Sequence, residues 1–396
     1  MWRLSPCGHE IVDNRVMTIR IGIVSTAPVE TGGAATYDRA IQKALSDFSE
    51  SVPLEVVRFG SIATADQVID STSQIVRYTK HPHAPSRLQK LVGYTGRPRR
   101  NTFPSLQQAL WRERISLAWF LAPNRVISSV VSTPFVMSVW DLAHREVQGF
   151  PEFSADRRWT HRESMYSENV GRAFHVLTDS RRTGENLERI YGVYPENWSS
   201  IGLPLPPQAG ADFTLARQNN HPYFYYPASF WPHKNHRVLI DALGLMREKK
   251  VDLVFSGHDE GHASLLQNYV EEMGLGARVR FLGRIGDAEV QGLIENSVAV
   301  LMPTVLGPTN YPPLEALRSS VPCIVSHVHE FDYLPKSGMV VVDAHDPRKW
   351  SQAMAEMLGK GRPVVNPARF VAPKPHNQIA GVVEKFQQVM RVRLGD

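Results

Sequence analysis

Only two cysteines, Cys7 and Cys323, occur in 396 residues. Two cannot build a disulfide framework, and neither sits in a paired metal-ligand spacing. That usage points to a reducing cytosol. No window approaches the roughly 18 consecutive apolar residues that a bilayer span needs, and the first sixteen residues have no apolar core of a secretory signal. No His/Asp/Glu cluster shows ligand spacing, so no metal site is expected. Charge of one sign is not extreme: 44 Lys+Arg stand against 39 Asp+Glu, a net charge of +5. With 42% apolar and 21% charged residues the chain belongs to the globular class, and its length favours two domains.

What is present is an alternation of strand-like and helix-like stretches. Met17 precedes Thr-Ile-Arg-Ile-Gly-Ile-Val-Ser, so residues 1–16 read as an extension ahead of the fold. Residues 21–25 and 54–59 are strand candidates. Residues 36–48 form a helix candidate, with Tyr37, Ile41, Ala44, Leu45 and Phe48 near helical spacing. Residues 126–131 and 135–139 are further apolar runs. Residues 175–178 form a short strand before a helix that starts near Asp179 and Ser180, both good N-caps. A proline-rich hinge, 201–208, follows. The pattern then restarts, with strands at 223–227, 252–256, 279–282, 299–303, 323–326 and 339–342. Helices at 237–247, 263–273, 288–295 and 313–319 alternate with them, and 380–394 is an amphipathic helix with Val383, Phe386 and Val389 on one side. Such alternation implies an α/β fold of parallel sheets with helices on both faces. It divides the chain into a domain over 17–207, a second over 208–376 and a terminal helix, 377–396, packing back towards the first domain.

Three junctions carry candidate chemistry. Thr31-Gly32-Gly33-Ala34-Ala35-Thr36 lies between a strand and a helix. It is neither a dinucleotide fingerprint nor a P-loop. Its small residues and backbone N–H groups at a helix start suit a phosphate, and a tight turn would need the same glycines. Tyr226-Pro-Ala-Ser-Phe-Trp-Pro-His-Lys-Asn-His236 follows the first strand of the second domain, and Lys234 between His233 and Asn235 is placed to hold a diphosphate. The alternative is a solvated loop with aromatic packing. Pro303 to Ala316 ends a strand in Gly, Pro, Thr and Asn and opens a helix at Pro312-Pro313. Glu315, placed in the first helical turn, can accept both ribose hydroxyls or simply complement the helix dipole.

Smaller signals surround these. Asp141 ends an apolar run where α/β sheets bind ligands, or caps a helix. His144, three positions on, has a catalytic or a structural reading, and Trp140 either stacks on a sugar or packs. His258, just after Gly257 at another strand end, reads as a first-turn or loop contact. Cys323 belongs to the core.

The order of these pieces resembles a retaining glycosyltransferase of family 4 with the GT-B fold: two Rossmann-like domains facing a cleft. The resemblance runs from about Thr18 to the terminal helix and is strongest over 226–326, in the blocks YPASFWPHKNH, FLGRIGDAEV and GPTNYPPLEAL. Members similar to these build bacterial surface polysaccharide or lipopolysaccharide. The resemblance implies that Gly32 and Gly33 let the diphosphate and acceptor approach the backbone. It implies that Lys234 neutralises the leaving diphosphate, Glu315 binds the ribose, and Leu282-Gly283-Arg284 lie beside the nucleobase. Pro312, Pro313 and Leu314 shape the loop below the sugar, and Ser229, His233, Asn235, Gly257 and Tyr311 complete the donor site. The sequence departs from the family at three points. The first glutamate of the family's two-glutamate motif falls on Gly307, and Thr309-Asn310 are the polar groups near it. The arginine that usually precedes the lysine is replaced around Ser229 and Phe230, leaving His233, Asn235, His236 and Arg237 to supply polarity. Trp140 stands where a histidine is usual, with Asp141 kept and His144 in reach of the polar role.

The implied activity is transfer of a hexose, mannose from GDP-mannose first, to a glycan or lipid-linked acceptor with retention, and with Asp141, His144 and Lys234 as catalytic groups. The absence of an Asp-x-Asp pair agrees with metal-independent donor binding, so the nucleotide sugar is a co-substrate and no cofactor is expected. A non-catalytic nucleotide-sugar or glycan binding module and a GT-B epimerase are the alternatives. No nucleic-acid module accompanies the positive charge. It gathers at Lys80, Arg87, Lys90, Arg97, Arg99 and Arg100, with Arg112 and Arg114 nearby. That points to a cytoplasmic protein meeting anionic lipid at the inner membrane face.

Overall fold

The computed structural model describes residues 18–25, 33–49, 54–61, 75–78, 105–205, 208–218, 221–307, 310–328, 338–360, 365 and 375–394. The extension 1–16, Gly32, Thr309 and the basic stretch 80–100 lie outside these.

Two parallel sheets form the frame, as the alternation implies. The first contains β1 (Ile19–Ser25), β2 (Leu54–Ser61), β3 (Ile75–Tyr78), β4 (Leu117–Phe120), β5 (Phe135–Val139), β6 (His175–Thr178) and β7 (Trp198–Ser200). Their spatial order is β3-β2-β1-β4-β5-β6-β7. The second contains β8 (Tyr223–Pro227), β9 (Asp252–Ser256), β10 (Val279–Phe281), β11 (Val300–Met302), β12 (Cys323–Ser326) and β13 (Met339–Val342), in the order β10-β9-β8-β11-β12-β13. Every strand pair is parallel. The central strands are buried along their length, and continuous apolar runs such as Leu117–Phe120 are what strands covered on both faces require.

The helices follow from their caps and apolar stripes. In α1 (Gly33–Ser49), Tyr37, Ile41, Ala44 and Leu45 are buried, as their spacing predicts. Helix α2 (Leu106–Arg112) begins with a Ser105/Gln108 capping box. Three helices between β5 and β6 follow: α3 (Ala143–Glu146), α4 (Pro151–Ser154) and α5 (Arg158–Asn169). Helix α6 (Arg181–Tyr191) starts on the Ser180 cap and stops at Gly192. The second domain adds α7 (His236–Leu245), α8 (Ala263–Glu272), α9 (Asp287–Asn296), α10 (Tyr311–Arg318) and α11 (Pro347–Lys360). Of the two apolar runs in the first domain, only Phe135–Val139 is a strand. The other becomes a 3-10 turn, Arg125–Ser129, because the Asn124 side chain caps it at Val126 N. The central strand β4 and helices α5 and α11 had no counterpart in the sequence reading.

The last helix, α12 (His376–Leu394), returns to the first domain. Lys385 Nζ donates to Glu196 O at 2.7 Å and to Asn197 Oδ1 at 2.9 Å, and His376 pairs with Asp47. Phe386 meets Phe174 edge-on at 5.3 Å. One apolar cluster therefore runs from β1 and α1 through Ile201, Leu203 and α12 into the second sheet. Phe386→Ala should destabilise the protein by about 3–5 kcal/mol, the cost of emptying a buried aromatic site. Val392→Ala, at a position 78% exposed, should stay within about 0.5 kcal/mol. Urea denaturation checks both, and equal midpoints for the two variants would contradict this packing.

Candidate active site

Both sheets change winding direction once, between β1 and β4 and between β8 and β11. Ligands of open α/β sheets bind beyond the strand carboxyl ends at such points. The segments leaving β8 and β11 carry two of the three sequence motifs, so the topology brings residues 228–235 and 303–307 side by side.

The β8 segment is fixed by a close backbone contact. A Cβ at Gly257 would lie 2.2 Å from Ala228 O and 2.7 Å from Ser229 N, so only glycine lets the two loops meet. Phe230 N donates to His258 O at 3.0 Å, and Gly257 N to Gly283 O at 2.8 Å. Ser229, Gly257 and Gly283 thus share one rim of the cleft, with Arg284 exposed beside them. The chain then makes a 3-10 turn, Pro232–Lys234, ended by Asn235 in the left-handed conformation (φ 57°). The Asn235 amide donates to Ala344 O at 2.7 Å and Pro303 O at 3.2 Å, so it ties the β8 and β11 segments together. His236 is buried against Tyr226 and Phe230, ring centroids 4.6 and 4.9 Å away, and burial pushes its pKa down to about 3. Arg237 lies over the Tyr269 ring at 4.4 Å. Neither makes up the positive charge that the sequence departure at Ser229 leaves out.

Lys234 turns its ammonium towards the β11 segment, where Nζ donates to Asn310 Oδ1 at 2.9 Å. The Asn310 amide donates in turn to Gly307 O at 3.3 Å. Burial pushes Lys234 down to about 8, and the charge of Asp141 in the other domain works against that shift. Gly307 has φ 90°, a conformation that side-chain-bearing residues rarely adopt. The glycine at this position is therefore tied to its backbone, and no carboxylate follows the family's pattern there. Helix α10 begins at Tyr311 with Pro312 and Pro313 in its first turn. That is two residues earlier than the double proline suggested, so Glu315 falls in the second turn. The Glu315 carboxyl is pushed up to about 7 by burial, against the pull of Arg318.

The first domain meets this site with Asp141, just past β5. Its Oδ1 accepts from Ala143 N at 2.8 Å and from Arg162 of α5 at 2.5 Å, and Tyr166 OH donates to its carbonyl at 3.2 Å. Asp141, one residue ahead of the Leu142 N-cap, thus satisfies the first amide of α3 and remains partly exposed in the cleft. Trp140 packs edge-on against Tyr37 at 5.6 Å. The catalytic expectation for His144 needs correcting. Its side chain is fully buried and stacks on Tyr166 at 5.4 Å. Its Nε2 donates to Glu163 Oε2 at 3.1 Å, an oxygen that also accepts from Tyr191 OH at 3.0 Å. Arg145 completes this network on Glu163. Burial and the Arg162 charge push His144 below its ordinary pKa, so it joins α3 to α5 and α6 as a neutral structural group.

His233 also departs from the donor-contact reading. Its ring and N–H both donate to Glu152 of the first domain. Glu152 and Arg162 were not singled out from the sequence: no spacing signal marks them, because their partners are 81 and 21 residues away. Gly33 is the first residue of α1.

Residues 221–360 match the family model described as glycosyl transferases group 1. The O-antigen chain mannosyltransferase RfbU of Salmonella typhimurium is 27% identical over 186 residues, which is 47% of this chain and 51% of RfbU. The chain therefore spans about half the length of that relative. Among solved structures, sucrose-phosphate synthase of Thermosynechococcus elongatus superposes with a TM-score of 0.67 at 16% identity, over 95% of this chain and 99% of that one. HepE of Anabaena, in complex with UDP-glucose, superposes with 0.63 at 14% identity, over 96% and 100% of the two chains. The fold is thus GT-B, and residues 221–360 are similar to the group 1 glycosyl transferases.

Proposed function

We propose that this protein transfers a hexose from a nucleoside-diphosphate sugar to a hydroxyl of a glycan or lipid-linked acceptor, with retention and without a metal. GDP-mannose is the first candidate donor, because RfbU is a mannosyltransferase by name. The observation that carries the reading is the Lys234 ammonium at the switch point of the second sheet, against Asn310 and facing Asp141. A cation there stabilises negative charge that grows as the sugar–phosphate bond breaks.

In this reading the bond from the anomeric carbon to the diphosphate oxygen breaks as the acceptor oxygen bonds to the same face. The acceptor proton passes to the departing diphosphate. Lys234 holds that diphosphate, Asn310 keeps the lysine aimed, and Glu315 takes the ribose. Gly257 and Gly283 form the rim for the base, with Arg284 beside it. Asp141, oriented by Arg162 and the α3 amide, holds a hydroxyl of the sugar or acceptor.

Lys234→Ala should cut turnover by about 10²–10³, as for loss of one preorganised donor of charge stabilisation. A nucleotide-release assay with GDP-mannose and UDP-sugars measures it, and full activity in the variant would refute the assignment. The same assay in excess EDTA should give an unchanged rate. Affinity without release would indicate a binding module, and isomerisation without acceptor an epimerase.

The pH dependence follows from Lys234. Its charged form binds the anion, and the group loses its proton at about 8 when no ligand is present. Donor Kd should then rise by up to about tenfold per pH unit above that value. Lys234→Arg, charged throughout, should remove the rise. Calorimetric titrations at pH 7.5 and 9.5 test it, and a wild-type Kd equal at both would contradict the assignment.

Among the described residues no helix is long and apolar enough to cross a membrane. We further propose that the basic stretch 80–100 meets anionic lipid. Salt-sensitive co-sedimentation with anionic liposomes is expected, and indifference to lipid charge would refute it.

A further inference from the structure

The turn that carries Lys234 lacks a cap of its own. Trp231 ahead of it supplies no side-chain hydrogen bond, and Pro232 has no N–H. The first unsatisfied donor of the turn is the N–H of His233. It is satisfied from the other domain. Glu152 Oε1, on α4, accepts this N–H at 3.0 Å and the ring Nδ1–H of the same histidine at 2.8 Å. Both side chains are sunk in the contact, 5% exposed for Glu152 and 11% for His233.

The surroundings make this contact specific. Phe153 and Phe150 flank the His233 ring at 5.2 and 6.4 Å, and Phe153 packs with Leu306 from the segment after β11. On its other side the turn is held by its own domain. Val305 N and Thr304 Oγ1 donate to His233 O at 3.0 and 3.1 Å, and Tyr226 OH donates to Lys234 O at 2.9 Å. The carbonyl side of the turn is thus fixed within the second domain, while its N–H side depends on the first. Arg162 lies over the Phe153 ring at 5.7 Å and also holds Asp141. One arginine therefore braces both groups that the first domain presents to Lys234 and its turn.

We infer that Glu152 is a positioning residue for the donor site. Its carboxylate caps the His233–Lys234 turn only when the domains touch, and so aims the Lys234 ammonium at the leaving diphosphate, an inference that rests on the transferase reading above. A carboxylate that merely glued two domains together would have no reason to satisfy the backbone N–H next to the diphosphate-binding lysine. Because Glu152 touches the turn and not the nucleotide, its loss should act on the aim of the lysine during bond breaking more than on first binding of the nucleotide.

Glu152→Ala and Glu152→Gln in the full chain test this. In Glu152→Ala, kcat should fall by about 10²-fold, as for a group displaced by about 1 Å, while donor KM stays within about threefold. In Glu152→Gln the amide oxygen still accepts both N–H bonds, and kcat should recover to within about fivefold of wild type. Hydrogen exchange of peptides covering 228–238 reads the cap without turnover. The His233 amide should exchange at least about tenfold faster in Glu152→Ala and as in wild type in Glu152→Gln. Unchanged exchange or unchanged kcat in Glu152→Ala overturns the inference, as does a Glu152→Gln variant as slow as Glu152→Ala. A wild-type protein protected at His233 that turns over no nucleotide sugar would overturn the transferase reading and leave the cap standing.

Discussion

A lysine drawn partly out of water is the constraint around which the rest of this molecule is arranged. Burial costs the Lys234 ammonium enough to bring its pKa to about 8, and the charge of Asp141 across the cleft recovers only part of that cost. Such a group is stable in place because its neighbours hold it: Asn310 Oδ1 accepts a hydrogen bond from its ammonium, Tyr226 OH donates to its carbonyl, and the Gly257 contact sets the path of the chain that leads to it. A part-buried cation hydrogen-bonded to a neutral amide oxygen, with a carboxylate only across the cleft, is an unfinished charge balance. An anion in the cleft would complete it, which is the physical content of a diphosphate site.

The two domains contribute opposite signs to that cleft. The first presents Asp141 and Glu152, both braced by Arg162 directly or through Phe153. The second presents Lys234 and the His233 turn. Parallel sheets make this economical, since every strand delivers its carboxyl end to the same edge and the short segments beyond it need only a few bonds to be fixed. The return of α12 to the first domain, through Lys385 and Phe386, keeps those edges opposed.

Much of the second domain was legible in the sequence, because its strands are short apolar runs set at regular intervals between amphipathic helices. Lys234, Asn310 and Glu315 stood out in the sequence as candidates because proline and glycine mark the ends of the elements that carry them. The first domain was harder. β4 is four residues with no turn signal before it, and the 125–129 turn carries an apolar run that only the Asn124 cap distinguishes from a strand. His144 was misread because spacing alone does not say which way a four-residue helix faces. Asp141 takes the first amide of α3, and its neighbour three positions on turns inward to Glu163. Glu152 and Arg162 were invisible because what they do depends wholly on partners far away in the chain.

A crystal structure with GDP, or with UDP if that nucleotide binds better, tests the central claim most directly. The account predicts the diphosphate within hydrogen-bond distance of Lys234 Nζ, beside Asn310, with the ribose hydroxyls on Glu315. A nucleotide bound elsewhere, with Lys234 still directed only at Asn310, would contradict it.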